Sequence, residues 1–470
     1  MVKEDVRDDA ARIAVIGPAA ECLVRYAGIF NDEGRTVGRG GLGTLMASKN
    51  LKALAVHGTA RIRLHDEAVG RTLVRDQDRR RRGSLFKSVP YQVMRLYGTN
   101  SYLDMGMPLG DTPAYYFTET EFKAEKLTGK TLREEYAVLD YGCAGCSLRC
   151  GKATMVRRGD ETVRIDGPEY ESVASLGPLT GVFDSQAVIL AAHRCNVLGL
   201  DTISTGVCIS FLIYLAEKRL AADALARHLS GIAPDEIRWG NGDLVMKLID
   251  LISRREGIGD ILADGARAMA IRLGVDPELA AHVKGLEVPM HDPRAFAGQA
   301  LSYATASTGA NHNKGDWFNA EIGNLAYPKL GINTGESRFS IAGREKGVCA
   351  IQDLRAVDDA AVNCNFRNPP LTHILGHINA STGFGYDAAS LMLLGERINN
   401  LKRVINCRLG MTRRDDRLPK HLTRALESGS TAGVAVDLEE SLRAYYRERN
   451  WNWETGLPEK EKLDELGIEL

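Results

Sequence analysis

The sequence predicts a mainly helical chain with a small α/β part at its N-terminus. Three observations predict it. Strand-like apolar runs, Arg12 to Gly17 and Lys52 to Val56, are confined to about the first 65 residues. Beyond them, segments of 3.6-residue periodicity dominate, separated by short Gly/Pro loops. The length, 470 residues at 44% hydrophobic and 26% charged, exceeds one ordinary core and implies two or three domains.

The elements follow in chain order. Arg12-Ile13-Ala14-Val15-Ile16-Gly17 reads as a buried strand, followed by a loop at Gly17-Pro18 and an apolar run from Cys22 to Ile29. Gly38-Arg39-Gly40-Gly41-Leu42-Gly43 is a glycine-rich turn leading into the helix-like Leu45-Met46-Ala47-Ser48, and Lys52 to Val56 reads as a closing strand. Arg79, Arg80, Arg81 and Arg82 sit in a polar helix-like stretch, which reads as a solvated face or as a docking patch for an acidic partner. Asp184 can N-cap a helix whose apolar face is Val188, Ile189, Ala192 and Cys195, and Ser204 can begin another through Ile209, Leu212 and Ile213. Further helices are expected near 220–230, 243–255, 259–273 and 389–406. Ala304 to Trp317, rich in small and polar residues, reads as a buried functional loop.

Composition narrows the class. Lysine plus arginine is 60 and aspartate plus glutamate is 61, a net charge of -1 that asks for neither nucleic acid nor an anionic membrane. The charged start has no apolar core and is not a signal peptide. The longest apolar stretch, Val207 to Leu215, is too short to span a bilayer. A cytoplasmic protein is expected.

Nine cysteines, an odd number scattered along such a chain, argue for thiols and metal ligands over a disulfide framework. Three of them, Cys143, Cys146 and Cys150, form a C-x2-C-x3-C run in a glycine-bearing loop. Three thiolates plus a distant fourth are the usual ligand set of a [4Fe–4S] cluster. A structural zinc site is the competing reading, but no second C-x2-C pair accompanies the run. Cys364, Cys195 and Cys349 are all plausible as the remote fourth ligand, and spacing does not choose among them. Cys22, Cys195, Cys208, Cys349 and Cys407 otherwise read as space-filling residues.

Other residues carry chemistry by type and setting. The Gly38–Gly43 turn offers backbone N–H groups to a phosphate, with Arg39 as a charged contact; a tight strand-to-helix turn explains it equally well. Of Glu169 and Glu171, one suits a helix start and the other is a candidate proton acceptor if burial raises its pKa. His312, inside Gly309-Ala310-Asn311-His312-Asn313-Lys314-Gly315, lacks the apolar neighbours of a core histidine, so a polar-site role and a surface loop are both open. Lys314 can contact a phosphate or polarise a carbonyl. Asp201, after Leu198-Gly199-Leu200, either binds something specific or N-caps the next helix.

Taken together, these runs resemble the aldehyde:ferredoxin oxidoreductases, the tungsten or molybdenum bis-pterin enzymes. The resemblance rests on Ile16-Gly17-Pro18-Ala19, Gly38 to Gly43 with Ser48-Lys49-Asn50-Leu51-Lys52-Ala53, the cysteine loop, and Gly167-Pro168-Glu169-Tyr170-Glu171-Ser172. It continues through Leu198-Gly199-Leu200-Asp201-Thr202-Ile203-Ser204-Thr205-Gly206, Asp292-Pro293-Arg294, Tyr303-Ala304-Thr305, Gln352-Asp353-Leu354, Tyr445-Tyr446 and Leu466-Gly467-Ile468. It spans nearly the whole chain.

The resemblance implies a partial β-rich saddle followed by two helical domains: residues 1–66, 67–281 with three cluster cysteines, and 282–470 with the active-site histidine and the fourth. It implies Cys143, Cys146, Cys150 and Cys364 as ligands of a [4Fe–4S] cluster, and Glu171 and His312 as the acid and histidine beside the metal. Arg39, Gly40, Gly41, Asn196, Leu200, Asp201, Lys314, Asp359 and Asn363 fall at or beside pterin-contact positions. A Mg2+ ion bridging the pterin phosphates belongs to the same expectation. So does the activity: an aldehyde is oxidised with water to a carboxylic acid, and two electrons pass through the cluster to ferredoxin. A homo-oligomer is expected, with no nucleic acid and no membrane as partners. The alternatives are the tungsten subunit of an aromatic acyl-CoA reductase-like complex, or a non-catalytic iron–sulfur electron-transfer subunit.

Three departures from the family pattern stand out. The family begins with a further stretch that completes the saddle. This chain starts partway into that domain, as expected of a fragment, a mis-called start, or a split enzyme with a separate subunit supplying the rest. The first pterin motif opens with Asn196 in place of aspartate, and the second carries Val362 in place of glycine. Leu190 stands where some members have the glutamate of an E-x-x-H iron site, with His193 retained, so that iron is not expected.

Overall fold

The computed structural model describes residues 2–31, 34–83, 88–158, 161–229, 231–333 and 337–469. They form two compact units. Unit 1 comprises Met1–Thr59, Val93–Ala295 and Pro419–Ala435, and unit 2 comprises Ala60–Gln92, Phe296–Leu418 and Val436–Leu470. Both are mainly helical, and the strands are few and short.

Unit 1 opens with an antiparallel sheet of β1 (Arg12–Ile16), β2 (Ile29–Asn31), β3 (Arg35–Val37) and β4 (Ala53–Val56), in the order β3-β2-β1-β4. In β1, Ile13 and Ile16 are buried on opposite faces of the strand while Arg12 is exposed, so both faces cover side chains. The Gly38–Gly43 turn leads into helix α1 (Leu42–Ser48), as the sequence predicts.

The end of β1 fixes the segment that carries Asp201. A Cβ on Gly17 would sit 2.4 Å from the Leu198 carbonyl oxygen, so only glycine lets the two backbones meet. Gly28 N–H donates to the Gly199 carbonyl at 2.9 Å, Asp201 N–H donates to the Tyr26 carbonyl at 3.1 Å, and Ala27 and Leu200 form an antiparallel bridge. Gly199-Leu200-Asp201 is thus pinned like an added strand beside residues 26–28.

The longer helices of unit 1 include α2 (Ser101–Leu109), α3 (Tyr170–Leu176), α4 (Ser185–Leu198), α5 (Thr202–Glu217) and α6 (Gly242–Arg254). Asp184 caps α4, its carboxylate accepting the Ala187 N–H at 2.8 Å. The next helix starts two residues before Ser204, at Thr202, because Asp201 caps it through the Ile203 N–H at 3.0 Å. α5 is apolar on all sides and buried accordingly, with Val207, Cys208, Phe211 and Leu212 at 0% exposure. Among the described residues, no single helix is long and apolar enough to cross a membrane. The periodic stretch near 259–273 is two short helices, Ile258–Leu262 and Ala266–Leu273, broken at Gly265.

A second sheet, absent from the sequence-based expectation, lies within the segment read as helical. It comprises β5 (Ala137–Tyr141), β6 (Gly151–Arg158) and β7 (Glu161–Asp166), all antiparallel. Its strands are short and amphipathic, and period-2 alternation such as Thr162-Val163-Arg164-Ile165-Asp166 marks them. The cysteine loop is the connection between β5 and β6, closed by the pair Tyr141 and Gly151.

Unit 2 is built from α7 (Ala297–Thr305), α8 (Glu345–Ala360), α9 (Leu371–Thr382), α10 (Ala388–Arg408) and α11 (Glu439–Arg449). Leu354, Val357, Ile374 and Leu391 form one core cluster, and Val404, Leu463, Leu466 and Ile468 another. α8 and α10 pack closely where Gly395 lies under Asp353; a Cβ there would meet the Asp353 carbonyl oxygen at 2.2 Å. The polar helix Glu67–Gly83 packs through Leu73 on Gly376 of α9. Arg79 on it is exposed and pairs with Asp76, as a solvated face would, while the side chains of Arg81 and Arg82 lie outside the described residues.

Candidate active site and cofactor-binding residues

The cysteine loop is held at both ends. Cys146 N–H donates to the Cys143 carbonyl at 2.9 Å, and Gly145 takes a left-handed φ of 69°, making a tight turn between the first two thiols. Arg95 donates to the Ser147 carbonyl at 2.8 Å, and buried Lys152 donates to the Arg95 and Arg149 carbonyls at 2.8 and 3.0 Å. Arg35 brings a cation close to Cys143 and Cys150; it pairs with Glu169 at 3.1 Å and lies over the Tyr141 ring. None of the nine cysteines is in a disulfide. Cys143 is exposed, and Cys146 and Cys150 are partly so.

The remote thiols differ in access. Cys364, just past α8 in unit 2, is exposed. Cys195 and Cys208 are buried in α4 and α5, and burial pushes both thiols well up. Burial pushes the Cys349 thiol up to about 12. Deeply buried, protonated thiols are poor metal ligands, so Cys364 has the access that Cys195 and Cys349 lack.

At the glycine turn, Gly40 and Gly41 have φ of 89° and 70°, and a Cβ on Gly41 would collide with the Arg25 carbonyl oxygen at 2.2 Å. A Cβ on Gly40 would meet nothing within 4 Å, so the backbone there is open to a ligand. Arg39 spans two elements: Nε lies 3.3 Å from Asp201 Oδ2, and Nη2 donates to the Glu287 carbonyl at 2.5 Å. Ser204 donates to Asp201 at 2.8 Å and lies 2.7 Å from Glu287 Oε2, while the other Glu287 oxygen accepts the Ala266 N–H at 2.9 Å. Asp201 therefore both caps α5 and anchors Arg39. Leu200 is buried beside it, and Asn196 sits in the last turn of α4, its carbonyl accepting the Gly199 N–H.

Glu169 and Glu171 lie in different settings. Glu169 occupies the N-cap position of α3 but turns to Arg35 and Thr99. Glu171 lies in the first turn, and its Oε2 accepts the Met290 N–H at 2.9 Å. Burial raises its carboxyl above the ordinary range, opposed by His291, the Met290 N–H and Arg39, and reinforced by Asp201. His291 Nε2 lies 3.6 Å from Glu171 Oε1, and its Nδ1 lies 2.6 Å from Asp111 Oδ2. Sequence reasoning missed His291, Asp111 and Glu287. The signal was a histidine directly before Asp292-Pro293-Arg294, a polar knot in an otherwise apolar stretch.

In unit 2, His312 begins a short 3-10 turn, His312–Lys314, which Asn311 caps by accepting the Asn313 N–H at 3.0 Å. Buried Ser302 on α7 fixes the turn by donating to the Gly315 carbonyl at 2.7 Å. Lys314 pairs with Asp359, and both line a small cavity with Thr305, Gln352 and Lys402. Asn363 donates to Asp358 at 2.8 Å, and Asp358 pairs with buried Arg355, which grips Asp316 with two bonds at 2.7 and 2.8 Å. That charged frame joins the histidine turn to the end of α8. Val362, between Asp359 and Asn363, takes a φ of 54° and is 92% exposed.

Unit 1 thus carries Arg39, Gly40, Gly41, Cys143, Cys146, Cys150, Glu171, Asn196, Leu200 and Asp201, and unit 2 carries His312, Lys314, Asp359, Asn363 and Cys364.

Comparison with known proteins identifies the scaffold. Residues 80–468 match the family model described as Aldehyde ferredoxin oxidoreductase, domains 2 & 3, and residues 1–58 match that of its N-terminal domain. The tungsten-containing aldehyde ferredoxin oxidoreductase of Pyrococcus furiosus is 36% identical over 476 residues, covering 99% of this chain and 75% of that protein. The enzyme of the same description from Thermococcus kodakarensis is 34% identical over 473 residues, with 99% and 75% covered. The WOR-like subunit of an aliphatic sulfonate oxidoreductase from Pyrococcus furiosus is 29% identical over 478 residues, covering 96% and 69%. Among solved structures, the active-site complex BamBC of benzoyl coenzyme A reductase, in complex with 1,5-dienoyl-CoA, shares the fold with a TM-score of 0.78 at 22% identity, over 99% of this chain and 75% of that one. The chain belongs to the aldehyde ferredoxin oxidoreductase family and is an oxidoreductase of that kind.

Proposed function

We propose that the chain oxidises an aldehyde with water to a carboxylic acid at a tungsten or molybdenum bis-pterin centre and passes the electrons through a [4Fe–4S] cluster to ferredoxin. The observation that carries the reading is Glu171: an enclosed carboxyl with a raised pKa, in the electrostatic field of Arg39 and Asp201.

The residues present fit both groups. For a pterin with its phosphates, unit 1 offers the open backbone at Gly40, the Arg39 guanidinium and the buried acceptor Asp201; Asn196, Leu200 and Gly41 flank them. Unit 2 offers Lys314, Asp359 and Asn363. For the cluster, Cys143, Cys146, Cys150 and Cys364 are accessible thiols outside any disulfide, and Arg35 and Lys152 place positive charge near the loop, which favours thiolate. When bound, the bis-pterin centre supplies the two-electron acceptor and the cluster a one-electron exit.

The overall change is RCHO plus water giving RCOOH, two protons and two electrons. We assign His312 to donate a hydrogen bond to the aldehyde oxygen, which makes the carbonyl carbon more electrophilic. Glu171 takes the proton of the attacking water on Oε1, because Oε2 already accepts the Met290 N–H. A raised pKa suits a general base, since the carboxylate is basic enough to take a proton and the acid weak enough to hold it briefly.

The Glu171→Gln variant of the metal-loaded protein is expected to lose aldehyde oxidation by at least about 100-fold while the cluster's absorbance and spin signal persist. Unchanged turnover would remove Glu171 from the mechanism. Assays with an aromatic acyl-CoA and an alkanesulfonate alongside the aldehydes separate this reading from the chemistries named for the more distant relatives.

A further inference from the structure

Each turnover of the proposed reaction releases two protons beside an enclosed carboxylate. From Glu171 a row of polar groups leads away. His291 Nε2 is 3.6 Å from Glu171 Oε1, His291 Nδ1 is 2.6 Å from Asp111 Oδ2, and the Tyr102 hydroxyl donates to that same oxygen at 2.7 Å. His291 is 3% exposed and Asp111 0%, whereas Tyr102, on α2, is half-buried. The elements are tied together by the ring of Tyr102 edge-on to His291 and Tyr170, at 4.8 and 5.0 Å, and by the Tyr170 hydroxyl, which donates to the Met290 carbonyl at 2.5 Å. Asp111 is further fixed through its own carbonyl, which accepts the Asp292 N–H at 2.7 Å.

We infer that His291, Asp111 and Tyr102 form a proton relay that empties Glu171 after each turnover. The inference rests on Glu171 as the site's base. Asp111 accepts from Tyr102 and so presents a lone pair to Nδ1; His291 then carries its proton on Nδ1 and turns the Nε2 lone pair to Glu171. The protonated carboxyl gives its proton to Nε2, leaving Glu171 carboxylate and His291 imidazolium. The imidazolium passes its Nδ1 proton to Asp111, leaving a neutral ring protonated on Nε2, which a ring flip turns so that an unprotonated nitrogen again faces Glu171; the Tyr102 hydroxyl oxygen takes the proton from Asp111 as it releases its own to solvent. No electrons move. Glu171 Oε1 and His291 Nε2 stand slightly beyond hydrogen-bond reach, a gap closed by a side-chain rotation or one bridging water. Among the charged and titratable groups of unit 1 around the relay are Asp111, Glu171, Tyr102 and Tyr170 about His291, with Asp292 acting on Asp111 and Arg39 and Asp201 acting on Glu171.

Two independent readouts test it. In the full chain without added metal, the nitrogen-15 resonances of His291 report its titration. Glu171→Gln and Asp111→Asn are each expected to lower its midpoint by about one unit or more, since each removes a facing carboxylate. In the metal-loaded enzyme, His291→Asn is expected to cut kcat at least about tenfold with KM and metal content unchanged, and to alter the pH profile. Added imidazoles are expected to restore His291→Gly in proportion to their basicity, which a merely structural histidine would not show. If loaded wild-type enzyme oxidises no aldehyde while the His291 titration responds to both carboxylates, the relay stands and the substrate reading falls. A His291 titration indifferent to both substitutions, or a His291→Asn enzyme with wild-type kcat and pH profile, would overturn the relay.

Discussion

At the scale of single residues, environment sets chemistry. Glu169 and Glu171 are two positions apart, yet one lies in an ion pair with Arg35 and the other is enclosed beside Met290 and His291. The raised pKa of Glu171 has a sign that can be checked. A base must be deprotonated to act, so kcat/KM should fall as pH drops through a limb lying above the ordinary carboxylate value of about 4.3. A limb at or below that value would show that burial does not dominate. Val362 offers a second check. A β-branched residue at a φ of 54° strains the backbone, and its side chain, 92% exposed, recovers nothing by packing. Val362→Gly should therefore stabilise unit 2 by roughly 1 kcal/mol in denaturant unfolding; a loss of stability would show that the valine side chain makes contacts that matter.

At the scale of elements, caps and close approaches decide where functional residues sit. α4 begins at its Asp184 cap and ends where Gly199 meets Gly17, and that ending places Asp201 beside Arg39. Removing the cap by Asp184→Ala should cost about 1 kcal/mol in the unfolding of unit 1; no loss would mean that packing alone holds the helix. Much of this was legible in the sequence: the Asp184 cap, the strand after residue 12, the glycine turn into a helix and the long helix 388–408 all follow from local pattern. The β5–β6–β7 sheet was not, because strands of five to eight residues present only a few turns of alternation against a helical background. Ser204 as a helix start was displaced by Asp201, whose carboxylate reaches the Ile203 N–H. His291, Asp111 and Glu287 escaped because their meaning lies in partners some 80 to 180 positions away in the chain, and no local period encodes such contacts.

At the scale of the whole molecule, the chain divides its candidate residues over two compact units, with the three thiols of the cysteine loop, Glu171 and the Arg39–Asp201 pair in one, and the histidine turn and Cys364 in the other. Spacing singled out the three thiols of the cysteine loop, while Cys364 and the roles proposed for the other residues came from the resemblance to the family to which the chain belongs. The proposed activity requires that the four thiols hold iron and that the arginine, glycine and aspartate groups retain a pterin-bound metal. Elemental analysis of the anaerobically purified full chain, compared with its Cys364→Ser variant, tests that requirement most directly. The wild-type protein should contain about four iron atoms and about one tungsten or molybdenum per chain, and the variant should lose iron. Zinc in place of iron, or iron content unchanged by Cys364→Ser, would contradict it.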